Sequence, residues 1–291
     1  MAFVERAINV TFKLGQGQFG GSGADTVTLS GLRVSSKIIK AGGPSMGTAQ
    51  LQVYGMTLSQ MNKLSTLGMQ ITLQRKNTLL VEAGDADVGM ATVFVGTIYN
   101  AWVDMQGAPE VPFHVEAHVG LFEAIAPAKP SSFTGSADVA TIMSGLATQM
   151  GLKFENNGVS IKLANPYFWG SARDQAMACA EAAGLRSSWI IDNGTLAIWN
   201  PGQPRGQQVP LISADTGMEL SPTYTSKGIM VKTLFNPSIG YGSKIKVESS
   251  LTPANGEWVV YSLDHDLDAK FPGGQWHSTI GAARPGSVVV A

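Results

Sequence analysis

Catalysis or ligand binding needs a nucleophile with a base, a metal cage or a phosphate cradle, and a few stretches of this sequence carry residue types for one. His114, Glu116 and His118 are the densest cluster. On a helix the two histidines would share a face and could hold zinc. Val111, Phe113, Val115, Ala117 and Val119 alternate with them, however, which is the period of a strand. At about 3.3 Å per residue, a strand sets the two imidazoles roughly 13 Å apart, too far to share a metal through this strand alone. The cluster therefore reads as the polar face of a strand. Gly43-Pro44-Ser45-Met46-Gly47 fits the nucleophile elbow, which needs a strand-to-helix turn. Thr48–Tyr54 alternates as a strand instead, so Ser45 falls in a turn between strands. Gly15-Gln16-Gly17-Gln18-Phe19-Gly20 fits the dinucleotide fingerprint, but that motif must open a helix. The continuation, Gly21-Ser22-Gly23-Ala24-Asp25 and then a Thr/Val strand, supplies none.

Asp264-His265-Asp266 has the types of a catalytic pair. The alternation puts His265 with Tyr261, Leu263 and Leu267 and turns the aspartates the other way, so His265 reads as a packed histidine. Cys179 lies in an alanine-rich helix with no histidine near in sequence, and reads as a core thiol. Lys244 and Lys246 share one strand face, a solvated one. No catalytic, cofactor-binding or metal residue is assigned, and no cofactor is implied. Two minor alternatives stay open. One is a hydrolase of surface polymers using Ser45, His114 or Glu116. The other is a carbohydrate-binding β module stacking sugars on Trp102, Trp169 or Trp276, although those rings read more simply as core or interface.

The elements that would position these residues fall into three parts. Residues 1–127 read as strands, with Ile8, Val10, Phe12 and Leu14 alternating with polar neighbours. One helix interrupts them, opened by the capping box Thr57/Gln60, carrying Leu58, Met61 and Leu64, and stopped at Gly68. Ala126-Pro127-Ala128-Lys129-Pro130 is a linker. Residues 128–204 form a small α+β domain. A helix opens at Ser136, buries Val139, Ile142, Met143, Leu146 and Met150, and is capped by Gly151. Asn157-Gly158 then marks a hairpin. The same order recurs 33 to 36 residues later, with Ser171-Ala172, Gly184-Leu185 and Asn193-Gly194, which leaves an internal repeat as an open possibility. After the linker Pro201–Pro204, residues 205–291 are strands again, over Lys227–Leu234, Lys244–Ser250, Trp258–Leu267 and Gln275–Ile280.

Composition bounds the function. The 20 basic and 21 acidic residues leave no basic excess for gripping nucleic acid. A 44% hydrophobic content excludes a disordered chain. No apolar run approaches the roughly 18 residues of a spanning helix, and early charges at Glu5 and Arg6 exclude a secretory signal. A single cysteine fits folding in a reducing compartment. Charged residues make up 14%, against about 25% in ordinary soluble domains. The shortage is spread along the chain, with 17 charges in 1–127, 10 in 128–204 and 14 in 205–291. That pattern favours a surface covered on several sides by other subunits over one with a single neutral docking patch; on composition alone a β-rich exterior decorated with Thr, Ser and Gln stays equally open.

Several strings carry a family resemblance. Gly228-Ile229-Met230-Val231-Lys232-Thr233-Leu234-Phe235-Asn236-Pro237 is followed by Gly242-Ser243-Lys244-Ile245-Lys246-Val247, then Asn255-Gly256-Glu257-Trp258-Val259-Val260 and Leu263-Asp264-His265. Asn165-Pro166-Tyr167-Phe168 and Thr195–Trp199 add to it. Together they resemble the baseplate hub proteins of long-tailed bacteriophages, especially contractile ones of the Mu-like and late-control-protein kind. The resemblance implies a β-rich α+β chain, with two tail-tube-like β-barrel domains at 1–127 and 205–291 and an intervening α+β domain at 128–204. It implies a non-enzymatic homotrimer forming a pseudo-sixfold ring that joins the tail tube to the central spike around the DNA exit channel. The implied partners are the tail tube protein, the spike protein, other baseplate proteins and the tape measure protein. DNA would pass through the lumen without specific binding. The protein would reside in the virion tail baseplate, assembled in the host cytoplasm and without membrane insertion. Another tail component, at the tube end or distal tail, is the nearest alternative. No lysozyme-like segment is visible, and no interface residue is assigned.

Overall fold

The computed structural model describes residues 5–20, 23–66, 76–85, 89–206 and 208–287. The chain forms two compact units. The first comprises Met1–Ile39, Thr48–Phe122 and His265–Trp276. The second comprises Lys40–Gly47, Glu123–Asp264 and His277–Ala291. The architecture is β-rich, with one large sheet path and few helices.

The first unit is built on β1 (Arg6–Lys13), β2 (Thr26–Leu29), β3 (Arg33–Lys40), β4 (Thr48–Tyr54), β5 (Thr78–Asp85), β6 (Gly89–Val103) and β7 (Pro112–His118). Their order is β3-β4-β7-β6-β5-β1-β2, and each neighbouring pair from β3 to β2 is antiparallel. Period-2 sequence produces this directly. Ile8, Val10 and Phe12 of β1, Leu51 and Val53 of β4, and Phe113 and Val115 of β7 are all buried. Burying each such side chain contributes about 1.5–3 kcal/mol. The helix α1 (Leu58–Leu64) starts at the expected capping box, where Gln60 N–H donates to Thr57 Oγ1 at 3.3 Å and Thr57 N–H to Gln60 Oε1 at 3.0 Å. It ends at Ser65. Gly68, expected to stop it, lies outside the described residues, as do Gly21 and Ser22 of the glycine-rich loop.

That loop joins β1 to β2 as a hairpin, with no helix behind it. Gly15 is required there, since a Cβ would stand 2.6 Å from the Lys76 backbone nitrogen. Across this unit, Glu5 pairs with Lys270 at 3.6 Å and Arg6 lies 5.7 Å over the Trp276 ring. The β1 end thus meets the loop that follows β19 (Gly256–Ala269) through side chains.

The second unit holds α2 (Leu121–Ile125) in part, then β8 (Ser131–Ser132), β9 (Ser136–Asp138), α3 (Val139–Met150), β10 (Lys153–Asn157), β11 (Lys162–Ala164), β12 (Tyr167–Phe168), α4 (Ala172–Ala182), β13 (Trp189–Asp192) and β14 (Thr195–Trp199). The α3 stripe is buried as expected, and Gly151 caps it in the left-handed conformation. The start differs from the expectation. Ser136 belongs to strand β9, paired with β11, and Asp138 is the cap, accepting from Thr141 N–H at 3.2 Å. The expected start at Ser171 holds, with Asp174 closing the box.

Asn193-Gly194 makes the expected hairpin between β13 and β14, with φ of 46° and 75°. Asn157-Gly158 does not. Strand β10 pairs in parallel with β14 instead, and β11 pairs with β9. The asparagines explain the difference. Asn156 brackets Val159, accepting from its N–H at 2.8 Å and donating to its carbonyl at 3.0 Å, which turns the chain away. Helix-strand-strand order therefore recurs, but the pairings do not.

The same unit closes with β15 (Leu211–Ile212), β16 (Thr223–Thr225), β17 (Gly228–Leu234), β18 (Lys244–Val247), most of β19, and β20 (Trp276–Ala283). Their order is β16-β17-β20-β19, with β18 on β19 and β15 on β18. Ile229, Val231, Ile245, Val247, Trp258, Val260 and Ile280 form its core. No helix among the described residues is long and apolar enough to cross a membrane.

Candidate functional site

In the first unit, side chains opposite the core form cross-strand rows over β3, β4, β7 and β6. Ser35, Gln52, His114 and Trp102 make one row, and Lys37, Gln50, Glu116 and Asn100 the next. The histidines do not converge on a metal. His114 stacks on Trp102 at 4.9 Å with the rings 5° from parallel, and His118 meets the edge of Tyr99 at 5.3 Å. Tyr99 lies at a bulge between Ile98 and Asn100, which aims an extra ring outward. Burial holds the His118 pKa below the ordinary imidazole value, with Glu116 opposing more weakly. At the end of the face, Arg33 pairs with Glu110 at 2.5 Å and lies 4.1 Å over the Tyr54 ring. The result is a polar, aromatic-studded sheet surface.

Ser45 is exposed in the turn between β3 and β4, as expected. The surrounding glycines serve packing in the second unit, which the motif alone did not reveal. Gly43 N–H donates to the Trp189 carbonyl at 2.7 Å, and its φ is 65°. Arg173, buried, donates to the Pro44 carbonyl at 2.7 Å and lies 5.7 Å over the Trp189 ring. Lys40 pairs with Asp192 at 2.5 Å and donates to Asn193 at 3.1 Å. These three contacts clamp the segment Lys40–Gly47 onto β13 and α4. Arg173 also donates to the Ser45 carbonyl at 3.3 Å.

The remaining candidates resolve similarly. His265 is buried with Leu263 and Leu267, while Asp264 and Asp266 face the other way. Tyr261, expected on the histidine's face, is half-buried because the alternation slips at Tyr261-Ser262. Lys244 pairs with Glu257 at 2.9 Å and Lys246 with Glu248 at 2.7 Å. Cys179 is buried, and burial pushes its thiol up to about 12, so it stays protonated and unreactive. Among the described residues no group of three or more His, Cys, Asp or Glu could hold a metal ion. Trp276 is buried, Trp102 is partly covered by His114, and Trp169 is 74% exposed.

The observation that decides the family is at sequence level. A profile of the family described as baseplate hub gp41 matches residues 7–271, nearly the whole chain. The chain belongs to the baseplate hub gp41 family. The resemblance read from the sequence is thereby borne out, and the family is one of structural tail proteins. No curated protein matches the sequence.

Several solved structures share the fold. A tail protein from Neisseria meningitidis is 9% identical, with a TM-score of 0.66 over 97% of each chain. The 43 kDa tail protein of prophage MuSo2 from Shewanella oneidensis is 10% identical, with a TM-score of 0.61 over 95% of this chain and 97% of that one. An E. coli component of the type VI secretion system, described as similar to the T4 tail proteins gp27 and gp5, is 11% identical. Its TM-score is 0.56, over 88% of this chain and 74% of its own. At these identities the likeness is one of fold.

Proposed function

We propose that this hub protein assembles as a homotrimer into a pseudo-sixfold ring that joins the tail tube to the central spike around the DNA exit channel. In this reading residues 1–127 and 205–291 are the two tube-like β domains of each protomer, and residues 128–204 decorate the ring. The tail tube protein, the spike, other baseplate proteins and the tape measure protein are its partners in a contractile tail. The virion is its final location, reached by assembly in the host cytoplasm. Its role is assembly, not catalysis.

The observation that carries this reading is the strand order. The sheet path ends in two short edge strands, β2 at one end and β16 at the other. Open edges invite pairing, and a soluble chain retains them where neighbouring subunits or short, blunted strands manage them. Here β2 has four residues and β16 has three. Exposed Leu220, Tyr224 and Met230 lie on or beside β16 and β17. A heterologous edge contact that closes on rotation generates a ring. Native mass measurement of the purified chain, with imaging of assembled tails, tests this. A trimer located at the tail tip is expected. A chain that stays monomeric at all concentrations and is absent from virions overturns it.

A further inference from the structure

In the second unit Lys40 is 6% exposed, and its ammonium meets two side chains of one hairpin. Its Nζ stands 2.5 Å from Asp192 Oδ1 and 3.1 Å from Asn193 Oδ1. Asp192 and Asn193 are neighbours at the end of β13, whereas Lys40 lies 153 residues from Asn193. A buried ion pair needs only the aspartate. The carboxamide beside it completes a reactive set. A lysine amine is a nucleophile, and a carboxylate at hydrogen-bond distance is a base for its proton. A carboxamide carbon is an electrophile whose leaving group is ammonia.

Local structure holds the three groups together. Asn193 takes a φ of 46° in the turn between β13 and β14, whose pairing runs from Trp189 opposite Ile198 to Asp192 opposite Thr195. The segment that Lys40 opens is tied down on the same hairpin and on α4. Gly43 N–H donates to the Trp189 carbonyl at 2.7 Å, and Arg173 to the Pro44 carbonyl at 2.7 Å. The carboxamide carbon is one bond beyond the oxygen that Nζ already contacts. Groups held at about 3–3.5 Å in this way gain most of the advantage of an intramolecular reaction. Burial supplies a driving force. The Asp192 side chain is only 12% exposed, and keeping two charges out of water is costly. A reaction that consumes both charges removes that cost. Asn193 itself is exposed, which gives ammonia a path to solvent.

We propose that Lys40 and Asn193 form an intramolecular isopeptide bond, with Asp192 as the proton acceptor. Lys40 gives one proton to the Asp192 carboxylate, and the neutral Nζ attacks Asn193 Cγ. The Nζ–Cγ bond forms and the Cγ–Nδ2 bond breaks. A second Nζ proton passes to Nδ2, which leaves as ammonia. The products are a neutral secondary amide and a protonated Asp192, so no oxidant, reductant or co-reactant is required. Until the bond forms, Lys40 and Asp192 remain the ion pair described above. Once formed, it staples the segment Lys40–Gly47 covalently to the β13–β14 hairpin, whatever the chain assembles into.

The test is the intact mass of the full chain, followed during storage at neutral pH, with peptide mapping of the same samples. A mass about 17 Da below that of the sequence is expected, the loss of one ammonia. Trypsin is expected to leave Lys40 uncut and to release Ile38–Lys63 joined to Ser187–Arg205. The joined peptide should be absent from a chain kept unfolded in urea, from Lys40→Arg and from Asp192→Asn. A mass that stays at the sequence value, with the two peptides separate, overturns the proposal without any variant having to fold. So does a loss of about 17 Da that persists in Lys40→Arg, which would mark a cyclic imide at Asn193-Gly194. A gain of about 1 Da at Asn193, plain deamidation, overturns it as well. A joined peptide that forms equally fast in Asp192→Asn overturns the part assigned to the aspartate.

Discussion

Lys40 and Asp192 stand 152 residues apart in sequence, yet their side chains are 5% and 12% exposed and 2.5 Å apart. A buried pair broken on one side leaves an uncompensated charge, which costs about 3–5 kcal/mol. Lys40→Met is therefore expected to destabilise the protein by about 3 kcal/mol. Adding Asp192→Leu to it should restore most of the loss, because well-packed apolar residues replace buried ion pairs at little cost. Urea midpoints of the three proteins measure this, and a double variant as weak as the single one would contradict it. Glu155 gives a pH-dependent counterpart. Two hydrogen bonds from Arg205, at 3.1 and 2.9 Å, hold its carboxyl below the ordinary value, against a smaller opposing effect of burial. A depressed folded pKa stabilises fully above the unfolded value of about 4.3 and is lost as pH falls through the folded value. The pair is partly exposed, so its contribution is about 1 kcal/mol or less. Glu155→Gln is expected to lower the urea midpoint at pH 7 and to match the parent protein once the pH lies well below the folded value, where both states are protonated.

At the scale of elements, local signals and distant partners separate cleanly. Alternating Ile8-Val10-Phe12, the Thr57/Gln60 box and the Asn193-Gly194 turn were legible because the forces that set them act within a few residues. The parallel pairing of β10 with β14 was not, since Asn157-Gly158 has hairpin composition and is diverted by side-chain bonds, among them that of Asn156 to Val159 and that of Asn157 to the Ile198 carbonyl. The clamp on Lys40–Gly47 was hidden for a similar reason. Gly43-Pro44-Ser45 reads as a turn whether or not anything docks on it, and Arg173 and Trp189 come from far along the chain. The strand period of His114, Glu116 and His118 was legible in the sequence, whereas the Trp102–His114 stack required knowing which strand lies beside β7. The clamp makes a contrast that composition cannot. Gly43→Ala would set a Cβ 2.6 Å from the Arg186 carbonyl oxygen at a φ of 65°. Gly17 has a φ of 88° with nothing within 4 Å of its Cβ position. Gly17→Ala is expected to cost about 1 kcal/mol, the penalty of the left-handed conformation. Gly43→Ala adds a clash with main chain and should cost about 2–3 kcal/mol more. Thermal unfolding of the two variants checks the ranking, and equal losses would refute the clamp as a tight contact.

For the whole molecule, the charge shortage and the charge pairing point to the same behaviour. Cations on both β parts are already engaged within the chain. Lys13 pairs with Asp25, Arg33 with Glu110, Lys232 with Glu219, and Lys244 with Glu257. Arg173 and Arg284 are turned onto backbone carbonyls. Binding a duplex draws its affinity from cations that displace counterions, and each neutralised phosphate steepens the salt dependence by about 0.9 in the log–log slope. A cation that faces a carboxylate of its own chain has less to offer a phosphate. In the proposed ring this would also serve an exit channel, because a basic lining would hold DNA that has to pass. The assembled protein is therefore expected not to retard duplex DNA in electrophoresis at about 0.15 M salt, and to show only a shallow salt slope at lower ionic strength. Retention at physiological salt, with affinity falling steeply as salt rises, would reveal a basic surface formed on assembly and would remove the balanced-charge argument for a passive channel.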